Sequence, residues 1–122
     1  MEVMIRKELL EYLLELSRDF YPNEFAGFLR ERNGVFEEVL LAPNPHFGSR
    51  AAFFDTWMLP MDESIKGTVH SHPSPSPVPS KADLHFFSKF GGVHFIIAYP
   101  FEPFSVKAYL SDGTPVRFKV VP

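Results

Sequence analysis

Two histidines separated by one residue, His70 and His72, have the type and spacing that most directly suggest chemistry in this chain. Side chains alternate along a β-strand, so residues two apart share a face and both imidazoles can meet one ion. A His-x-His pair alone also fits two polar residues at a strand end, and its surroundings narrow the reading. Metallo-β-lactamase-like sites continue with an Asp-His pair, whereas Pro73 and Ser74 follow here. Cupin sites need a glutamate a few residues on, and only Ser, Pro and Val precede Lys81. Amidohydrolases carry such a pair on a barrel of about 250 residues, more than 122 residues can build. Cytidine-type deaminases require cysteines, and there are none.

Asp83 lies eleven residues after His72, near the start of an expected helix. It completes a His₂Asp set with His70 and His72. Three protein ligands leave the fourth tetrahedral position to water, as in a catalytic rather than a structural zinc site. Ser80-x-x-Asp83 is equally a capping box, since acids favour helix N-termini. Pro73, Pro75, Pro77 and Pro79 stiffen the intervening loop and favour the ligand reading.

Zinc lowers the pKa of a bound water from 15.7 to about 7. Amide hydrolysis also needs a base that takes the water's proton and passes it to the leaving amine. Glu24, at a turn after Pro22, is the candidate, although its type and place also suit an exposed turn residue. Ser80 could donate a hydrogen bond to the developing oxyanion, or serve only as the helix cap. Other histidines carry less. His46 sits in a proline-flanked loop, His85 faces away from Asp83 on the helix, and His94 reads as outer support or as an ordinary half-buried residue.

Several elements must position these residues. Leu9, Leu13, Leu16 and Phe20 recur at helical spacing, predicting an amphipathic helix over roughly 4–20 that Pro22 stops. Strands are expected at 25–32 and 35–41 around the hairpin signal Asn33-Gly34, with a short one at 50–55 and an ambiguous stretch at 57–65. A strand over 67–71 runs into the proline loop. A helix opens at Ser80 and ends at Gly91-Gly92. Strands over 93–99, 105–110 and 116–121 follow, the last two joined as a hairpin by Asp112-Gly113. The sum is a mixed α/β (α+β) domain around a curved sheet, occupying residues 1–122 as one unit.

Composition excludes other classes. Net charge is −3 and no basic cluster appears, so nucleic-acid binding lacks its electrostatic footprint. The absence of cysteine rules out disulfides and thiol nucleophiles. No basic start with a clean apolar run marks a signal peptide, and no stretch reaches the ~20 apolar residues of a membrane span. The expectation is a soluble cytoplasmic protein without membrane contact. Fourteen phenylalanines predict an aromatic core, with a homodimer as one way to cover any surplus apolar surface.

The stretch HSHPSPSPVPSKAD (70–83) resembles the JAMM signature, in which His-x-His-Pro leads through a short loop to Ser-x-x-Asp. Upstream, Pro22-Asn23-Glu24-Phe25-Ala26-Gly27-Phe28-Leu29 is similar to the family's Pro-x-Glu-x-x-Gly-x-Leu motif. Two motifs in this order are far more specific than either alone, and the resemblance covers nearly the whole chain. It implies the MPN fold, a curved mixed sheet flanked by helices with an architecture related to cytidine deaminases. It implies one zinc per chain held by His70, His72 and Asp83, Glu24 as general base and Ser80 as the oxyanion-stabilising serine. The implied substrate is the isopeptide or peptide bond after the C-terminal Gly-Gly of a ubiquitin-like modifier, of the small archaeal type. Two alternatives are trimming of a ubiquitin-like sulfur carrier and a non-catalytic MPN scaffold. The stretch 47–54 is the expected place for a substrate tail to add as a strand.

Overall fold

Alternation begins at once. Val3 and Ile5 are buried and Met4 and Arg6 only partly so, making β1 (Val3–Arg6) a four-residue strand. The computed structural model describes residues 2–41 and 62–122. The helix expected from residue 4 therefore starts later, as α1 (Lys7–Phe20). Four residues are too few to separate period two from period 3.6, and pairing with two other strands decides the outcome. In α1, Leu9, Leu10, Leu13, Leu14 and Leu16 form the buried stripe.

β2 (Ala26–Arg32) and β3 (Val35–Leu41) form the expected hairpin. Asn33 and Gly34 have φ of 53° and 80°, the left-handed pair that a type I′ turn needs. β4 (Ile65–His72), α2 (Lys81–Phe90) and β5 (Val93–Ala98) make a crossover unit whose strands pair in parallel. A 3₁₀ turn at Pro103–Ser105 leads into β6 (Val106–Leu110).

The last expected strand divides. Only β7 (Pro115–Val116) folds back on β6, and β8 (Phe118–Val121) runs parallel to β1 instead. Among the described residues the sheet order is β7-β6-β5-β4-β2-β3-β1-β8. Its two outermost strands are thus separated in sequence by Arg117 alone. Two residues of extended chain span at most about 7 Å, so the sheet must curl until its edges approach each other. This is the curvature the sequence implied, reached by a connection that no local signal announced.

The two faces of the sheet carry separate apolar clusters. On one, α1 packs against Phe25, Leu29, Val69, Phe95 and Ile97. On the other, Phe86 and Phe87 of α2 pack against Ala26, Phe28, Ile96 and Tyr109. Phe25, Phe28, Phe36, Phe87 and Phe95 are among the largest fully buried side chains, as the aromatic composition predicted. The expected strand at 50–55, the stretch 47–54, His46 and most of 57–65 lie outside the described residues. Among the described residues no helix is long and apolar enough to cross a membrane.

Candidate metal centre and active site

β4 ends in the His-x-His pair, and its alternation turns His70 and His72 toward the α2 face. α2 begins one residue after Ser80 and brings Asp83 to the same place. His70 Nε2 and His72 Nε2 lie 3.1 Å apart, and each is 3.4 Å from Asp83 Oδ2. His70 and Asp83 are 2% and 3% exposed. A buried carboxylate is costly unless a cation or hydrogen bonds compensate it.

These donors fit zinc. Tetrahedral bonds of about 2.0–2.1 Å place neighbouring ligand atoms about 3.3 Å apart, close to the three separations found here. The His72 tautomer fits as well. Its Nδ1 lies 3.0 Å from the Ser76 carbonyl oxygen, which can only accept, so Nδ1 carries the proton and Nε2 keeps its lone pair for a metal. A carbonyl behind a ligating imidazole is the usual way of fixing ring orientation. The group could hold one Zn²⁺.

The proline loop is itself clamped. Tyr109 Oη, from β6, donates to the Pro77 carbonyl at 2.8 Å. Burial raises the Tyr109 pKa above the ordinary phenol value, so the donor persists into alkaline solution. Its ring also stacks near Phe87.

At the helix start both readings of Ser80-x-x-Asp83 meet. Asp83 N donates to Ser80 Oγ at 3.0 Å, and Ser80 N donates to Asp83 Oδ2 at 2.9 Å. The carboxylate that faces the histidines is therefore also the capping-box acceptor. Ser80 fills the helix-cap role expected of it. As cap its oxygen accepts, which leaves its own O–H available to donate.

Glu24 is half-buried and precedes β2 by two residues. The β2–β4 ladder ends at the Ala26–His70 pair. One step further, Ser71 N donates to the Phe25 carbonyl at 3.0 Å, while Phe25 N donates to Ser71 Oγ at 2.9 Å. Alternation carried through Phe25 puts Glu24 on the Ala26 and His70 face. Gly27, the motif glycine, is explained by packing. A Cβ there would lie 2.9 Å from both the Leu40 carbonyl oxygen and Val39 Cγ2.

His94 is fully buried, not half-buried. It bonds Thr68 Oγ1 through Nδ1 at 2.6 Å and the Gly91 carbonyl through Nε2 at 2.5 Å. It ties the end of α2 to the sheet, and these two hydrogen bonds go to neither His70, His72 nor Asp83. Burial lowers its pKa to about 4. His85 is exposed on α2 and outside the donor group. Sequence reasoning missed Ser71, the Ser76 carbonyl and Tyr109. A small polar residue on the buried α1 face of β4 was the signal for the first.

Comparison with known proteins agrees with this geometry. The model of the family described as prokaryotic homologs of the JAB domain matches residues 6–111. A probable metalloprotease of Haloferax volcanii is 34% identical over 121 residues, covering 91% of this chain and 74% of that protein. A JAB1/MPN domain protein from Archaeoglobus fulgidus superposes with a TM-score of 0.80 at 36% identity, covering all of both chains. A structure described as a JAMM metalloprotease-like zinc site in the proteasome and signalosome gives 0.78 at 34%, again covering both chains fully. The fold and donor set thus define a zinc metalloprotease of the JAMM type, a hydrolase. The chain belongs to the prokaryotic JAB-domain family.

Proposed function

We propose that this enzyme hydrolyses the isopeptide or peptide bond that follows the C-terminal Gly-Gly of a ubiquitin-like protein. The observation that carries the reading is the His70–His72–Asp83 group, His70 and Asp83 buried, at the end of β4 beside the chain entering β2 that carries Glu24. Zinc held there would supply a Lewis acid and a water acidic enough to ionise near neutral pH. Glu24 accepts the proton of the attacking water and delivers it to the leaving amine. The Ser80 hydroxyl, whose oxygen is engaged by Asp83 N, donates to the oxygen of the reacting amide. His72 is held by the Ser76 carbonyl, which would leave its Nε2 to coordinate the metal. The paired sequence motifs support the Gly-Gly substrate, as does similarity to a zinc site described in the proteasome and signalosome.

The test is a ubiquitin-like modifier joined through its C-terminal glycine to a lysine side chain, with products followed by mass spectrometry. Cleavage after the terminal glycine is expected, and is lost in Glu24→Ala and after chelation. Failure of the zinc-loaded wild type to cut this substrate overturns the substrate assignment. Release of residues from the C-terminus of an unconjugated sulfur carrier would then identify the trimming activity.

A further inference from the structure

In an antiparallel ladder, two residues of a hydrogen-bonded pair exchange both main-chain bonds. At Phe25 and Ser71 only one of these is main chain to main chain, from Ser71 N to the Phe25 carbonyl at 3.0 Å. The other runs from Phe25 N to Ser71 Oγ at 2.9 Å. A side-chain oxygen has taken the place of a carbonyl at the last rung, where β2 leaves the sheet toward Glu24. Ser71 is 1% exposed and lies on the α1 face, away from the donors contributed by its two neighbours. Valine or alanine would suit that apolar face better, and a buried hydroxyl persists at low cost only when bonded.

We infer that Ser71, the residue between the two histidines, is a positioning residue that sets Glu24 against the metal centre. The inference rests on the reading of Glu24 as general base. Ser71 is bonded to its two histidine neighbours through the chain and to the residue after Glu24 through two hydrogen bonds. One side chain therefore references the base and two donors to the same frame. Without the hydroxyl, Phe25 N loses its acceptor and the Phe25–Ser71 rung keeps only one of its two hydrogen bonds. A misplacement of about 1 Å at a catalytic group costs on the order of 100-fold in rate.

The experiment compares zinc-loaded wild type with Ser71→Ala, Ser71→Thr and Glu24→Gln. It reads kcat and KM separately, zinc affinity by chelator competition, and amide hydrogen exchange at Phe25. Ser71→Ala is expected to lower kcat by roughly 10- to 100-fold, with KM and zinc affinity within about threefold of wild type. Exchange at Phe25 should quicken while that of Phe28 and Leu29 stays unchanged. Ser71→Thr keeps the hydroxyl and should recover most of kcat, which also guards against a variant that merely folds poorly. A loss of zinc affinity in Ser71→Ala that matches its loss of kcat overturns the inference, because Ser71 would then act through the histidines. Unchanged kcat in Ser71→Ala overturns it directly. Near-full activity of Glu24→Gln removes the base assignment itself, a separate failure visible in its own arm.

Discussion

The His94 ring lies on the Phe87 ring, centroids 4.1 Å apart and planes 9° from parallel. Phe87 is one turn beyond Asp83 on α2, so this stack and the two hydrogen bonds of His94 seat the helix that presents the carboxylate. Among the described residues, Thr68, Phe86, Phe87 and Phe90 contact His94, and Tyr109 stands opposite it on β6; burial raises the Tyr109 pKa, so this phenol stays neutral in acid.

Acid should therefore loosen the helix seat. The folded His94 pKa is lowered from 6.5 to about 4. Between these values the unfolded ring binds a proton that the folded ring refuses. The stabilisation is full above pH 6.5 and declines as pH falls toward 4, a loss of roughly 3 kcal/mol. Urea titrations of chelator-treated protein across this range should show the decline, and His94→Gln should flatten it. Parallel pH curves for both proteins would refute the assignment.

The two roles of Asp83 separate by substitution. Asp83→Asn keeps an oxygen for the Ser80 amide and loses the charge. Zinc affinity should fall by at least about 100-fold, while melting of the zinc-free protein stays near wild type. Asp83→Ala also removes the cap acceptor and should cost a further ~1 kcal/mol. Chelator competition and denaturation of the zinc-free proteins measure the two effects independently.

Tyr109→Phe removes one hydroxyl and leaves the ring against Phe87. A net loss of about 1 kcal/mol is expected, together with weaker zinc binding, because the freed Pro77 segment neighbours the Ser76 carbonyl that orients His72. Stability that falls with zinc affinity unchanged would show that the clamp does not reach the metal centre.

Adjacent glycines after α2 should respond differently. Gly91 and Gly92 have φ of 78° and 70°. A Cβ at Gly91 meets nothing within 4 Å, whereas one at Gly92 collides with the Lys66 carbonyl oxygen. Gly91→Ala should cost only the backbone strain, about 1–3 kcal/mol. Gly92→Ala must also push β4 away from β5, and should be the more destabilised of the two by chemical denaturation.

The His70–His72–Asp83 group and the helices α1 and α2 were legible because their signals are local: two histidines at strand spacing, a leucine stripe, and proline and glycine at the ends. β1 was hidden because Val3 and Ile5 stand directly against the helical pattern of α1. The departure of β8 was invisible for another reason. Phe118 to Val121 reads as a strand wherever it pairs, and its partner β1 lies at the other end of the sequence. At Asp83 the sequence fits cap and ligand equally, and in the fold one carboxylate oxygen meets both the Ser80 amide and the imidazoles. Ser71 was not legible because its role depends on a hydrogen bond to Phe25, 46 residues away in sequence.

The pairing of β8 with β1 gives the protein a timetable. Arg6 hydrogen-bonds the Pro122 carbonyl across 116 residues of sequence, so β1 completes its edge with a segment synthesised long after it. Until then β1 offers an open flank to any strand nearby. Contacts this distant along the chain slow folding, and the growing polypeptide depends on whatever shields that flank in the meantime.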